Sequence, residues 1–200
     1  MRTFSPTDDP MSIAGVILAA GAGSRFEASG GAGPKPLAEV DGVALVDRSL
    51  AAVVEAGLDE VVLVDGRTDL SDRGGSDVTV LHNPAWADGI ATSLQVAVAH
   101  ARDAGHETIV VGLADQPGIT ADAWRAVATA PAEPPIAVAT YAGRRGNPVR
   151  LTAAVWDLLP TTGDEGARTL MRERPELVRE VPCTGEPWDV DTVEDLERWS

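Results

Sequence analysis

The segment Ile13-Ala-Gly-Val-Ile-Leu-Ala-Ala-Gly-Ala-Gly-Ser-Arg25 is the stretch from which the rest of the chain is best understood. Its apolar run from Ile13 to Ala20 predicts a buried β-strand. Gly21 and Gly23 follow directly, and a strand end that opens into bare backbone amides can cradle phosphate groups. We interpret the segment as a strand followed by a phosphate-binding loop. An ordinary glycine-rich turn is the alternative.

The chain has 16 lysine and arginine residues, and only Lys35 among them is a lysine. It follows the glycine-rich segment within Gly33-Pro-Lys35-Pro-Leu37. A compact ammonium suits positions where a planar guanidinium serves badly. Together with Arg25, Lys35 can supply positive charge to a bound phosphate. The alternative is a surface lysine without a binding role.

Length and charge limit the classes of function. Two hundred residues with 44% hydrophobic and 24% charged residues are typical of one soluble globular domain. The net charge of −15 argues against nucleic acid as a partner. It also means that an anionic ligand requires local cations and a divalent metal at its site.

The termini and the cysteine content predict a cytoplasmic protein without a membrane span. No apolar stretch approaches the ~20 residues that a span requires. A single cysteine, Cys183, excludes an internal disulfide framework. Residues 1–10 lack a signal-peptide pattern and are expected to be a disordered tail, with residues 11–200 forming a single domain and Met11 as an alternative start.

Strand-like and helix-like segments alternate along the chain, which predicts an α/β fold of three layers: a mainly parallel sheet with helices on both faces. Residues 136–141 and 147–151 flank Ala142-Gly-Arg-Arg-Gly146 and predict an inserted β-hairpin. Ligands of such sheets bind beyond the carboxyl ends of the strands. The Gly21 loop and Asp115 both follow predicted strands, so we expect them to face one crevice.

Three aspartates are candidate Mg²⁺ ligands. Asp115 ends an apolar strand and precedes Gln116-Pro117, and Asp189 and Asp191 lie near the end of the chain. Magnesium accepts one or two carboxylates together with substrate phosphates. Asp115 could instead stabilise a turn, and Asp191 could be a helix N-cap.

Further candidates flank the predicted crevice. Gly89, Thr92 and Ser93 lie where a loop runs into a helix; glycine permits close backbone approach and the hydroxyls could contact a base, although helix capping explains Ser93 nearly as well. The arginines could bind a second anionic substrate or lie on solvated surface; they are Arg144, Arg145, Arg150 and Arg168. His82, His100 and His106 lack metal-ligand spacing. Trp86 and Trp188 are expected to pack in the core, with a place in the lining of a pocket as the alternative.

Seven motifs occur in order, and together they resemble the MobA-like nucleotidyltransferases, more narrowly the molybdenum cofactor cytidylyltransferases. The motifs are Leu18-Ala-Ala-Gly-Ala-Gly-Ser-Arg25, Lys35-Pro-Leu, Asn83-Pro-x-Trp-x-x-Gly-Ile-x-Thr-Ser-Leu94, Ala114-Asp-Gln-Pro117, Arg145-Gly-Asn-Pro148, Gly163-Asp-x-Gly-Ala-Arg168 and Asp189-Val-Asp-Thr192. The chain departs from the usual family pattern at Phe26-Glu27, in the expanded spacer Ala28 to Gly33, at Glu165 and at Val193.

The resemblance implies a Rossmann-like nucleotidyltransferase fold and a role for each motif. It implies Lys35 and Arg25 as catalytic residues and Mg²⁺ as the cofactor. The nucleotide-binding residues that it implies are Leu18, Ala19, Ala20, Gly21, Ala22, Gly23, Ser24, Gly89, Thr92 and Ser93. It implies Asp115, Asp191 and Asp189 as metal ligands, and Arg145, Asn147 and Arg168 as ligands of the phosphate acceptor.

The implied reaction transfers CMP from CTP to the molybdopterin cofactor and releases pyrophosphate. The implied partners are a nucleoside triphosphate, a molybdopterin-type phosphate acceptor and, transiently, a molybdoenzyme or its chaperone. GTP as donor, or a sugar or alcohol phosphate as acceptor, is the close alternative. A dinucleotide-binding oxidoreductase is weaker, because Phe26 stands where a third glycine is required. A non-catalytic cofactor-binding module is a further alternative.

Overall fold

The computed structural model describes residues 12–199, so the predicted tail and Met11 lie outside the described residues. The strands are β1 (Ile13–Leu18), β2 (Glu39–Val40), β3 (Val43–Ala44), β4 (Glu60–Asp65), β5 (Thr79–His82), β6 (Thr108–Leu113), β7 (Gly118–Ile119), β8 (Ile136–Tyr141), β9 (Arg144–Thr152), β10 (Val178–Pro182) and β11 (Gly185–Glu186). The α-helices are α1 (Ser24–Ala28), α2 (Leu45–Ala56), α3 (Ile90–Ala104), α4 (Ala121–Ala128), α5 (Ala167–Glu173) and α6 (Val193–Glu197).

Seven strands form the central sheet in the order β10-β8-β9-β6-β1-β4-β5. β1 pairs in parallel with β4 and β6, β4 with β5, and β8 with β10. β9 runs antiparallel to both of its neighbours, β6 and β8. The other six strands therefore all point their carboxyl ends to one edge of the sheet, and the amino end of β9 lies at that same edge.

Apolar side chains cover both faces of the sheet, as the alternating pattern predicts. In β1, Ala14, Val16 and Leu18 pack with α3 and α5 on one face, whereas Ile17 packs with α2 and α4 on the other. Successive residues of a strand point to opposite faces, so a strand that is covered twice must be apolar throughout. The predicted three-layer architecture is confirmed.

The remaining differences from the predicted elements are local. The predicted hairpin is present, but both of its strands, β8 and β9, belong to the central sheet rather than to an insertion. Two small antiparallel pairs, β2 with β3 and β7 with β11, consist of two-residue strands too short for any periodic signal. A 3₁₀ helix, Ala153–Leu158, follows β9.

A third, smaller core lies at the edge where the strands end. It consists of Phe26 from α1, Leu45 from α2, and Val40, Ala38 and Val190, with side chains of α6 packed against it. This core joins residues 26–45, which follow the glycine-rich loop, to residues 190–199. Within residues 12–199, none of the helices combines the length and the apolar character that a membrane crossing requires.

Candidate functional site

The glycine-rich loop and Asp115 lie side by side because their strands are neighbours. Leu18, at the end of β1, pairs with Leu113 at the end of β6. The backbone N–H of Ala114 donates to the Leu18 carbonyl at 3.1 Å, which extends the pairing into the two loops. The expected common crevice is therefore present at the carboxyl edge of the sheet.

Lys35 lies at the centre of this crevice between two carboxylates. Its Nζ donates to Asp115 Oδ2 at 2.7 Å and to Asp191 Oδ1 at 2.9 Å. The Lys35 side chain is only 11% exposed, whereas Arg25, which is paired with the other oxygen of Asp191, is 78% exposed. Burial works against the charged amine, but the two carboxylates outweigh it and raise the pKa of Lys35.

The backbone conformation of Gly23 explains how Lys35 comes so close to the glycine-rich loop. Gly23 has a φ of +66°, and a Cβ at this position would lie 2.9 Å from the Cβ of Lys35. A side chain at position 23 would therefore be strained and crowded. Gly21 differs, because a Cβ there would meet nothing within 4 Å. Gly23 brings the lysine close, whereas Gly21 leaves the crevice open.

Asp115 has the features of a cation ligand. Its Oδ2 binds Lys35, but its buried Oδ1 has no hydrogen-bond partner among the described residues. A buried carboxylate oxygen without a partner is costly, and a hard cation would satisfy it. Desolvation and the negative charges of Asp115 and Asp191 raise the pKa of the nearby Asp189 carboxyl. The donor set therefore suits Mg²⁺ or Mn²⁺.

The carboxylates do not converge as a finished metal centre. Within residues 12–199, no three His, Cys, Asp or Glu side chains are grouped so that they could hold an ion together. Mg²⁺ does not require such a cage, because one or two carboxylates suffice when substrate phosphates complete its coordination. Asp191 does not cap α6; the cap is Thr192, whose hydroxyl accepts from the N–H of Asp195.

Two clefts meet at Asp115. The first, which we call the loop cleft, has a volume of about 290 Å³ and is lined by the glycine-rich loop, Lys35, Trp86, Gly89 and Ser93. The second, which we call the arginine cleft, has a volume of about 560 Å³. The residues that line both clefts are Leu18, Ile90, Leu113, Asp115 and Asp164.

The proposed nucleotide residues are divided by this geometry. The loop cleft is lined by residues 18–23, whereas Ser24 begins α1 and does not line it.

Trp86 lines the cleft and Trp188 is 60% exposed, so the expectation that both pack in the core was wrong.

Gly89, Thr92 and Ser93 make contacts with other residues of the chain, chiefly Gly163 and Asn83. A Cβ on Gly89 would lie 2.4 Å from the carbonyl of Gly163, so the close approach that this glycine permits is that of the segment around residue 163. Asn83 Nδ2 donates to the hydroxyls of Thr92 and Ser93 at 2.8 and 2.9 Å. Thr92 does not line the loop cleft, and Ser93 does. Contacts at the start of α3 therefore explain why these residue types occur here, apart from any role in binding a nucleotide.

The arginine cleft contains the three residues expected to face the acceptor. Arg145, Asn147 and Arg168 line it, above an apolar floor that includes Leu94, Val149 and Met171. Arg145 is paired with Glu180 at 2.8 Å, and Arg168 has no ion pair within the described residues. Arg150 is absent from the cleft: it is 1% exposed and donates to the carbonyls of Ala130 and Pro131. The expectation for Arg150 was wrong because strand alternation points it away.

Sequence reasoning overlooked Gln116 and Asp164. Gln116 is 4% exposed, and its amide bridges Asn147 and Asp189. Asp164 lines both clefts, and its neighbour Gly163 exchanges backbone hydrogen bonds with Asp88 and Ala91. Gln116 adjoins Asp115 in the sequence, and that adjacency was the one available signal.

The three histidines are paired with carboxylates away from the two clefts. His82 contacts Asp65 at 2.7 Å, and His100 and His106 share the carboxylate of Glu60 at 2.9 and 2.7 Å. Burial works against ionisation of Glu60, but hydrogen bonds from Thr79 and these two histidines lower its pKa below the usual value. None of the three histidines lines the clefts.

Comparison with known proteins identifies the family of this chain and a relative that aligns over nearly its whole length. Residues 15–179 match the model of the MobA-like NTP transferase domain. The chain is 32% identical to the nicotine blue oxidoreductase of Paenarthrobacter nicotinovorans, over 96% of this chain and 98% of that protein.

Similar structures have been solved for several other proteins. Rv0371c from Mycobacterium tuberculosis H37Rv is 30% identical with a TM-score of 0.79, covering 94% of this chain and 97% of that one. The same protein has been solved in complex with manganese. A nucleotidyl transferase from Methanothermobacter thermautotroptrophicus, 23% identical, has a TM-score of 0.78 over 94% of this chain and 95% of that one, which shows a shared fold.

Proposed function

We propose a function from one premise, that this chain belongs to the MobA-like NTP transferase family. The proposal is that it transfers CMP from CTP to the terminal phosphate of the molybdopterin cofactor and releases pyrophosphate. The triphosphate would bind in the loop cleft and the acceptor in the arginine cleft. GTP in place of CTP is the alternative within the same chemistry.

The observation that carries this proposal is the meeting of the two clefts at Asp115, whose carboxylate is paired with Lys35. A transfer between two phosphate-bearing substrates requires two adjacent sites with a cation where they meet. The acceptor would approach from the side of Arg145 and Arg168, whose charges suit a terminal phosphate. The apolar floor of the arginine cleft suits the flat body of a heterocyclic cofactor.

The chemistry needs no general base, because a terminal phosphate is already ionised at neutral pH. Its oxygen would attack the α-phosphorus of CTP, forming a new phosphorus–oxygen bond, and the bond to the departing pyrophosphate would break. Lys35 and Arg25 would neutralise the charge that builds up on the phosphate oxygens. Positioning of the two substrates in adjacent clefts would supply much of the remaining rate enhancement.

Mg²⁺, when bound, would neutralise phosphate charge and orient the triphosphate. Asp115 and Asp191 would hold it, with Asp189 beside them. The unpartnered Oδ1 of Asp115 supports this assignment, and so does the manganese complex of Rv0371c, a protein 30% identical to this one. Lys35 would then contact the phosphates, since the ion would take over its carboxylate partners.

A panel of donors and acceptors tests the proposal. Purified protein is incubated with Mg²⁺ and either CTP or GTP, with molybdopterin, a sugar phosphate or no acceptor, and pyrophosphate is measured. Release with CTP only when molybdopterin is present is the expected result. Release with GTP, or with a sugar phosphate, would reassign the substrates while retaining the reaction. Absence of pyrophosphate under every condition would refute nucleotidyl transfer.

An oxidoreductase is the second candidate, because the relative from Paenarthrobacter nicotinovorans is named as one and aligns over nearly the whole chain. The loop cleft could hold the pyrophosphate of a dinucleotide in the same way as a triphosphate. Phe26, 2% exposed in the small core, occupies the place of the third glycine of the dinucleotide motif. Oxidation of NADH or NADPH, followed by loss of absorbance with a heteroaromatic acceptor, distinguishes this activity from pyrophosphate release.

A further inference from the structure

We infer that Gln116 is the positioning residue of the carboxylate cluster, and that it acts by fixing Asp189. The inference rests on the proposed function in one respect: it takes the cluster of Asp115, Asp189 and Asp191 as the site of a divalent ion. Gln116 itself lines neither cleft and is 4% exposed.

The direction of the Gln116 amide is determined by its two neighbours. Asn147 Nδ2 donates to Gln116 Oε1 at 2.8 Å. Gln116 Nε2 then faces the other way and donates to Asp189 Oδ1 at 2.7 Å and to the Pro187 carbonyl at 3.3 Å. An amide can accept on one side and donate on the other, whereas an ionised Glu or a Met cannot.

Asn147 is itself held in place. Tyr141, which is 6% exposed, donates its hydroxyl to the Asn147 carbonyl at 2.7 Å. The chain of contacts thus runs from β8 through the start of β9 to the loop after β6, and ends on Asp189. It connects Asn147, which lines the arginine cleft, to the carboxylate cluster, of which Asp189 and Asp191 line the same cleft and Asp115 lines both.

Asp189 depends on this contact more than its neighbours do. Gln116 is the sole hydrogen-bond donor to the Asp189 side chain within residues 12–199. Asp191, in contrast, accepts hydrogen bonds from two cations, Lys35 and Arg25. The backbone adds a second tie, since the Val190 N–H donates to the Asp115 carbonyl at 2.9 Å. Without the Gln116 amide, Asp189 would be free to turn away from Asp115. Groups that orient metal ligands in this way commonly contribute 10-fold to 100-fold to metal affinity, by rough estimate.

A double-mutant cycle with Mn²⁺ alone as the probe tests this inference. Free Mn²⁺ is measured by electron paramagnetic resonance during titration of the wild-type protein, Gln116→Met, Asp189→Asn and the double variant. We expect Gln116→Met to weaken Mn²⁺ binding by about 10-fold or more. We expect no additional loss when Gln116→Met is combined with Asp189→Asn, because the amide then has no carboxylate to orient.

Ser49→Ala is the matched control for a merely structural effect. The Ser49 hydroxyl is 5% exposed and donates to the Ala114 carbonyl at 3.2 Å, two residues from Gln116, without contacting a carboxylate. This control should lower the melting temperature and leave Mn²⁺ affinity unchanged. If Gln116→Met does not fold, Asn147→Ala takes its place, and a loss of about 3-fold that disappears in the Asp189→Asn background is expected.

The outcomes separate the two proposals. Mn²⁺ binding by the wild-type protein with equal binding by Gln116→Met would overturn the role of Gln116 and leave the proposed function standing. Equal losses in the wild-type and Asp189→Asn backgrounds would also overturn it, since Gln116 would then act other than through Asp189. Failure of the wild-type protein to bind Mn²⁺ would overturn the role of Gln116, which takes the cluster as an ion site in the absence of nucleotide, whereas the proposed function stands or falls on the release of pyrophosphate.

Discussion

The ammonium of Lys35 lies 2.7 Å from the carboxylate of Asp115, in a crevice where the lysine side chain is only 11% exposed. With Asp191 on its other side, the lysine neutralises part of a carboxylate cluster that belongs to a chain of net charge −15. A triphosphate could not approach such a cluster without a cation present. The single lysine of the sequence thus lies beside the carboxylates whose negative charge would otherwise repel a triphosphate.

Lys35→Ala should reduce turnover about 100-fold to 1,000-fold, because a positioned charge on the reacting phosphates stabilises the transition state more than the bound substrate. The nucleotide Kd should change far less. Pyrophosphate release and nucleotide binding by calorimetry measure the two effects. Lys35→Arg should not restore turnover, since a planar guanidinium does not reproduce the compact ammonium that lies between Asp115 and Asp191. Unchanged turnover in Lys35→Ala would remove Lys35 from the mechanism.

The same substitution should alter the stability of the metal-free protein. Lys35→Ala leaves Asp115 and Asp191 facing each other with one cation fewer, and we expect a loss of about 1–3 kcal/mol, or several degrees in melting temperature. Added Mn²⁺ should restore more of the stability of this variant than it adds to the wild-type protein, because the ion no longer competes with the ammonium. Thermal unfolding with EDTA or with Mn²⁺ measures both. Equal responses to Mn²⁺ would contradict the competition.

The sequence predicted the layers well and the contacts of the site less well, for a physical reason. Runs of apolar residues report burial on both faces of a strand, and they located β1 and β6 correctly. The pattern cannot report which loops meet across the edge of the sheet. Gln116 depends on Asn147 and Asp189, residues 31 and 73 positions away, so its place beside Asp115 in the sequence did not reveal its role. Arg150 was misjudged because a charge pattern does not reveal the side to which a strand residue points.

Gly21→Ala and Gly89→Ala should separate binding from folding. A Cβ on Gly21 meets nothing within 4 Å in the open loop cleft, so we expect an unchanged melting temperature and a KM for nucleotide raised about 10-fold through steric overlap with the phosphates. Gly89 has a φ of +102° and faces Gly163, so Gly89→Ala should destabilise the fold by about 1–3 kcal/mol. Thermal unfolding and steady-state kinetics on both variants test this. A destabilised Gly21→Ala protein would contradict the open loop.

Asp189→Asn should make the metal-free protein more stable at neutral pH. Desolvation and the charges of Asp115 and Asp191 raise the pKa of Asp189, so the folded state binds this proton more tightly than the unfolded chain does. The ionised form therefore costs stability above the folded pKa, and the cost disappears below the ordinary pKa of an aspartate.

The substituted side chain keeps an amide oxygen that can accept from Gln116, so the packing at position 189 should be preserved. Because Asp189 is exposed, solvent screens these charges, and we expect a gain of less than about 1 kcal/mol, one or two degrees in melting temperature near pH 7.5. The gain should shrink as the pH is lowered towards about 4, where Asp189 of the wild-type protein is also neutral. Unfolding curves recorded in EDTA across this range measure the difference, and a gain that does not vary with pH would show that its cause is something other than the charge of Asp189.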